Sequence, residues 1–104
     1  MIESCTLPNK LIPYVTLDKI APMIRIAAHP IRLRIIDFLR LNEEPQSVGA
    51  IVDACQHPQA IVSQQLRLLK DQGILACKRE GNQMLYWIKN VRILFLLECI
   101  NSHA

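Results

Sequence analysis

The chain has 104 residues, of which 51% are hydrophobic and 20% charged, and its formal net charge is +3. This length predicts one domain, and the apolar content suffices for a core without disulfides or metals. No apolar run reaches the roughly 18–20 residues needed to cross a bilayer. Residues 1–10 also lack the basic-then-apolar pattern of a secretory signal. We therefore expect a cytoplasmic protein with no membrane partner, whose four cysteines are reduced.

The positive charge is concentrated in one part of the chain. Residues 1–58 carry six basic and six acidic side chains, whereas residues 59–92 carry six basic and two acidic ones. A localised basic surplus favours a polyanionic partner such as a nucleic acid.

The first elements are predicted from apolar spacing and from residues that begin and end helices. Residues 1–16 are predicted to form an N-terminal arm, followed by a first helix from Leu17 to Ala28. A second helix begins at Pro30, because proline suits the first helical position, and it ends before Asn42. Three arginines of this helix are expected to remain in solvent: Arg32, Arg34 and Arg40.

Two short helices joined by a tight turn are predicted next, followed by a hairpin. Ser47 is a suitable N-cap for a third helix that ends at Cys55, and residues 56–58 form the turn. Residues 74–79 and 84–88 have strand character and are joined by a turn that contains a glycine. We therefore predict, over residues 17–102, a mainly α winged helix-turn-helix. It has five helices, with a two-stranded β-hairpin wing between the fourth and the fifth.

The fourth helix, between Pro58 and Gly73, has an apolar side and a polar side. Val62, Leu66 and Leu69 have the spacing of one buried helical stripe. Amides, a hydroxyl and cations on the other side can hydrogen-bond base edges and phosphates in a DNA major groove. These predicted DNA-binding residues are Gln59, Ser63, Gln64, Arg67 and Lys70. The alternative is an ordinary amphipathic helix with a solvated polar side.

The last predicted helix, residues 90–102, is apolar on nearly every side. Arg92 and Glu98 are the polar residues between Val91 and Ile100. Such a helix must be buried on nearly every side, which its own chain cannot achieve at a terminus. We therefore predict a homodimer in which the first and last helices of the two chains form the interface. The alternative is that the N-terminal arm covers the apolar surface of the last helix. The predicted dimerisation residues are Leu17, Ile20, Ile24, Ile93, Leu96, Leu97 and Ile100.

Taken in order, these segments resemble the ArsR/SmtB family of bacterial winged-helix repressors. The family's second helix is matched by residues 28–39 (AHPIRLRIIDFL), and its recognition helix and first wing strand by residues 62–75 (VSQQLRLLKDQGIL). Its wing is similar to residues 78–86 (KREGNQMLY), and its dimerisation helix to the closing apolar helix. The resemblance covers about residues 17–101.

The resemblance implies a homodimeric repressor that binds an imperfect palindrome in double-stranded DNA and leaves it on sensing an inducer. The recognition helix would contact bases and phosphates, and the wing would make further DNA contacts through Arg79, Asn82 and Gln83. Two-fold symmetry would place the recognition helices about one DNA turn apart, roughly 34–36 Å. This chain departs from the family in the turn, where residues 56–58 (QHP) replace a hydrophobe followed by a Ser/Thr cap.

Many members of the family sense metal ions, but their ligands are missing from this sequence. Ser47 and Gly49 occupy the positions of the cysteines in the thiolate site. Asn90 and Arg92 occupy those of the ligands at the start of the last helix. Because zinc takes about four N, S or O donors, we predict no metal site, no cofactor and no response to zinc, cobalt or nickel. The inducer remains unassigned.

Other functions stay open beside this one. A thiol-based repressor could respond to arsenite or to oxidation through Cys5, Cys55 or Cys99. A dimeric interaction module that has lost DNA binding is disfavoured by the basic surplus of residues 59–92. A regulator without an inducer is also possible. The sequence has no nucleophile elbow and no phosphate-binding glycine loop, so we predict that the protein is not an enzyme.

Overall fold

A computed structural model describes residues 9–102, and of Ile100 and Ser102 it describes the backbone alone. Within these residues the helices are α1 (Tyr14–Ala27), α2 (Pro30–Leu41), α3 (Val48–Cys55), α4 (Gln59–Asp71) and α5 (Ile93–Ser102). The strands β1 (Gln46–Ser47), β2 (Leu75–Glu80) and β3 (Gln83–Ile88) form one antiparallel sheet in the order β1-β3-β2. The predicted winged helix-turn-helix is confirmed, and its wing is the β2–β3 hairpin.

The two terminal helices begin at other residues than predicted. Helix α1 begins at Tyr14 rather than Leu17, because the carbonyl of Pro13 already accepts the first helical hydrogen bonds. Part of the predicted N-terminal arm is therefore helical. Helix α5 begins at Ile93 rather than Asn90. The side-chain oxygen of Asn90 accepts the backbone N–H two residues further on, at 3.1 Å, and so holds a turn before the helix.

Helices α2 and α3 begin where the sequence predicts. Pro30 is the first residue of α2, and Nδ1 of His29 accepts the N–H of Ile31 at 3.2 Å. The hydroxyl of Ser47 accepts the N–H of Ala50, also at 3.2 Å, and so caps α3. These bonds satisfy N–H groups that have no partner within the helix.

One arginine of α2 is less exposed than predicted. Arg32 is half-buried and hydrogen-bonded to two other helices. The other two follow the prediction: Arg34 is exposed, and Arg40 forms a surface ion pair with Asp37 at 2.7 Å. The spacing of apolar residues along α2 could not reveal these partners, which come from other parts of the chain.

The sheet has one strand more than predicted, and its hairpin turn is tighter. Strand β1 pairs with Leu85 and Tyr86 of β3. A two-residue strand is too short to show alternation in the sequence. The wing turns through Gly81 and Asn82, where Gly81 has a φ of 63° that favours glycine. Gln83 is therefore the first residue of β3 and not a turn residue.

The core lies where α2, α3 and α4 meet the sheet. Val62, Leu66 and Leu69 of α4 are fully buried, which confirms the predicted stripe. Burial of a side chain of this kind contributes roughly 1.5–3 kcal/mol. The other large, fully buried side chains are Ile35, Ile36, Ile51, Ile74, Leu75 and Ile93. Across residues 9–102, no helix is both long enough and apolar enough to cross a membrane.

Candidate nucleic-acid interface

The turn between α3 and α4 depends on two residues in unlike conformations. Gln56 has a left-handed backbone with a φ of 57°, and its N–H bonds to the carbonyl of Val52 and so ends α3. Pro58 precedes α4, and its carbonyl accepts the N–H groups of Ile61 and Val62 at 3.1 Å each. No side chain caps this end of α4. Its first N–H groups are therefore left to water or to an anion such as a phosphate.

The polar side of α4 is exposed, opposite the fully buried stripe. Four of the five predicted DNA-binding residues of α4 are exposed, and the fifth, Ser63, is half-buried. The exposed four are Gln59, Gln64, Arg67 and Lys70. The helix therefore presents amide, guanidinium and ammonium groups together, a combination able to hydrogen-bond base edges and phosphates.

The exposed side of α4 also contains two apolar residues that the sequence analysis missed. Ala60 and Ile61, in the first turn, are both exposed. Ala60 lies four residues before Gln64, so the two share one side of the helix. That spacing was the signal available in the sequence. A small apolar side chain at this place suits the methyl group of thymine.

Neighbouring Gln65 points elsewhere. It is half-buried and accepts a hydrogen bond from Arg32 of α2. The two adjacent glutamines of α4 therefore have different surroundings, since Gln64 lies in solvent.

The wing adds a second polar surface. Arg79, Asn82 and Gln83 are all exposed near its tip, where Gln83 pairs with Glu80 across the hairpin. Lys78 lies 3.5 Å from the Glu80 carboxylate, in a surface ion pair. In the part of the chain that the structure describes, Arg79 has no such partner. Its charge is available to a phosphate.

Tyr86 of β3 is buried in the core to which α4 also contributes. Burial chiefly raises the pKa of this phenol, and the neighbouring Cys77 raises it further. The positive charge of Arg67, on α4, acts on the same pKa in the opposite direction. Strand β3 of the wing and the apolar stripe of α4 thus share one buried core.

A second surface, between α1 and α5, is apolar. A groove of about 400 Å³ lies there, with Ile24 46% exposed and Phe95 66% exposed. We call it the α1/α5 groove. It is lined by Ile20, Met23, Ile24, Arg92, Ile93, Phe95, Leu96 and Cys99.

The predicted dimerisation residues are not all placed alike. Four of them line the α1/α5 groove: Ile20, Ile24, Ile93 and Leu96. Of these, Ile93 is already buried within its own chain. Leu17 is exposed on α1, whereas Leu97 lines a different groove, between α2 and α5. The side chain of Ile100 lies outside the described residues.

The cysteines differ in exposure. Cys55 is buried, and burial raises the pKa of its thiol more than the positive charge of Arg34 lowers it. Cys77 and Cys99 are half-buried, and Cys99 lines the α1/α5 groove. Cys5 lies outside the described residues. Between residues 9 and 102, no three His, Cys, Asp or Glu side chains lie close enough together to hold a metal ion.

Residues 27–78 match a family described as a helix-turn-helix domain. The chain is 33% identical over 92 residues to the HTH-type transcriptional repressor SmtB of Mycobacterium tuberculosis, which covers 88% of this chain and 67% of the relative. It is 29% identical over 90 residues to the transcriptional repressor PagR of Bacillus anthracis, with 86% and 89% covered. Both relatives are named as repressors, a role that is not enzymatic.

One of several solved structures that are similar over nearly the whole chain is a DNA-binding domain. It is the homodimeric winged helix-turn-helix DNA-binding domain Mb0332 from Mycobacterium bovis, described as a possible ArsR-family transcriptional regulator. The TM-score is 0.71 at 25% identity, and the match covers 92% of this chain and 91% of that one.

Proposed function

The chain belongs to the ArsR/SmtB family of DNA-binding transcriptional regulators, and we propose that it is a homodimeric repressor of an imperfectly palindromic operator, released by an inducer. The observation that carries the proposal is the division of α4. Its apolar stripe is fully buried, and its exposed side bears amide and cationic groups beside an exposed basic wing. Such a helix can enter a major groove without losing contacts to its own core.

Each exposed side chain of α4 suits a particular part of DNA. The amide of Gln64 can bond twice to adenine, and the guanidinium of Arg67 can bond twice to guanine. Lys70 and, on the wing, Arg79 suit phosphates, which fix position and carry no sequence information. In this proposal α4 selects the sequence, and the wing adds affinity for any DNA.

The homodimer is proposed because the α1/α5 groove exposes apolar surface that a second copy would cover. Phe95 and Ile24 would each be buried by the partner. The homodimeric state of the similar Mb0332 domain supports this arrangement. A two-fold axis between the chains would repeat the reading helix about one DNA turn away, roughly 34–36 Å. The operator would then be a palindrome, imperfect where neither helix contacts a base.

The proposal is tested by selecting an operator from random duplex DNA with the full chain. Changing Gln64 to Ala should then lower discrimination at one base pair per half-site, by about 1–3 kcal/mol. Gln72→Ala is the matched control, because Gln72 is also exposed but lies just past the end of α4. Failure to enrich any sequence would contradict the proposal, and so would equal effects of the two substitutions.

A further inference from the structure

One arginine connects three helices. Nε of Arg32, near the start of α2, donates a hydrogen bond to Oε1 of Gln65 in α4 at 2.6 Å. Its Nη1 donates a second one to the carbonyl oxygen of Ile26, in the last turn of α1, at 2.9 Å. Among the residues that the structure describes, no carboxylate pairs with Arg32. The guanidinium therefore holds two neutral oxygens that belong to different helices.

Arginine is suited to this position for two reasons. Its donors project from a rigid plane in fixed directions, so one side chain can satisfy acceptors on two separate helices, which a single ammonium group does less well. The carbonyl of Ile26 is one of those at a helix end that lack a partner within the helix. A cation is also favoured at that end by the helix dipole.

The two helices to which Arg32 of α2 donates hydrogen bonds, α1 and α4, have different proposed tasks. Helix α1 lines the groove proposed to meet the second copy, and α4 carries the residues proposed to meet bases. Gln65 is next to Gln64 in sequence but faces the protein. The hydrogen bond to Gln65, together with the buried apolar stripe, therefore holds α4 at one rotation about its own axis, and this rotation sets the direction of Gln64.

We propose that Arg32 is a positioning residue that holds α4 in a fixed relation to the dimer-forming helix α1. It thereby sets the spacing of operator half-sites that the dimer accepts. This inference rests on the proposed function. One base pair inserted between the half-sites moves one of them by roughly a tenth of a DNA turn. A dimer with rigidly held α4 helices cannot follow that movement, whereas one with loosened α4 helices follows it in part.

The test compares two DNA duplexes, the selected operator and the same operator with one base pair inserted between its half-sites. The variants are Gln65→Met, which removes the acceptor on α4, and Arg32→Lys, which keeps the charge but not the planar set of donors. Arg34→Lys is the matched control on the same helix, because Arg34 is exposed. All three variants keep the cationic charge of the parent. Sedimentation and thermal melting verify that each is a folded dimer.

The measured quantity is the ratio of affinities for the two duplexes. We expect it to fall about tenfold in Gln65→Met and in Arg32→Lys, as for the loss of one hydrogen bond to a charged group. It should keep the parent's value in Arg34→Lys. An unchanged ratio in the first two variants would overturn the inference, as would an equal loss of affinity for both duplexes. Failure of the parent to select an operator would instead overturn the proposed function.

Discussion

Helices α4 and α5 expose opposite chemistry. Helix α4 has its apolar stripe of Val62, Leu66 and Leu69 fully buried, and its outer side is largely polar. Helix α5 places Ile93 in the core but leaves Phe95 66% exposed beside an apolar groove. A single chain covers the apolar stripe of α4, whereas it leaves part of the apolar surface of α5 exposed.

The difference follows from what each helix meets in its own chain. Helix α4 packs against α2, α3 and β2, which together cover its apolar stripe. Helix α5 packs against α2 and has apolar residues on more than that one side. Apolar surface removed from water contributes about 25 cal/mol per Å². Covering α5 with a second copy would therefore be favourable. The outer side of α4 is largely polar and needs no such cover in the absence of DNA.

The largest expected effect comes from placing a charge in the α1/α5 groove. Changing Phe95 to Glu should give a folded monomer, because this side chain is exposed in one chain but buried in the proposed dimer. An unpaired carboxylate at the dimer interface would cost several kcal/mol. Losing the second half-site contact should then lower operator affinity by about 100-fold or more. Sedimentation, circular dichroism and operator binding measure these three properties.

The control for this variant is Leu41→Glu. Leu41 is also 66% exposed, but it ends α2 and does not line the α1/α5 groove. It should remain a dimer and keep the parent's operator affinity. If Phe95→Glu also remained a dimer, the difference drawn between α4 and α5 would be wrong.

A smaller effect is expected at the wing. Changing Arg79 to Ala should weaken binding to all DNA sequences to a similar degree, because a phosphate contact carries no sequence information. The slope of log affinity against log salt concentration should become shallower by about 1. Arg34→Ala removes the same charge from α2 and should leave the slope unchanged. A loss restricted to the selected operator would place Arg79 on a base edge instead.

The sequence could predict α4 well, because the signals for it are local. A stripe of three apolar residues, a preceding proline and a following glycine lie within residues 58–73. Family membership was predictable from the order of four segments and is confirmed by the relatives. The exposure of Gln64 and Arg67 is also as expected, although their contacts with bases stay predictions.

The features that the sequence could not predict depend on distant partners. Strand β1 exists because Ser47 meets Leu85, far along the chain. Arg32 lies among other helices because its acceptor, Gln65, belongs to α4. Periodicity reports which side of an element is apolar, but it does not report which polar side chain bonds to which. The early start of α1 has a different cause, because Pro13 stands just before the helix and its carbonyl accepts the first helical hydrogen bonds.

The smallest effect expected concerns two cysteines, one near each of the compared helices. Cys55 ends α3 just before α4, and burial raises the pKa of its thiol. Alkylation requires the thiolate, so Cys55 should react more slowly at pH 8 than an exposed thiol, by about tenfold per unit of pKa. Because folding raises the pKa of this thiol, the protonated Cys55 contributes to the stability of the folded state at any pH below its pKa in the unfolded chain. This contribution is lost as the pH rises through the pKa of Cys55 in the folded protein.

Cys99 lines the α1/α5 groove, so its cover should come from the partner. Iodoacetamide labelling, followed by mass spectrometry of the peptides, should find Cys99 slow in the parent and faster in the monomeric Phe95→Glu variant. Cys55 should be slow in both, because its own chain covers it. Equal labelling of Cys99 in both proteins would argue against the groove as the dimer interface. Rapid labelling of Cys55 in the parent would instead favour the thiol-based alternative, with Cys55→Ser as the variant that should then lose its response to arsenite or an oxidant.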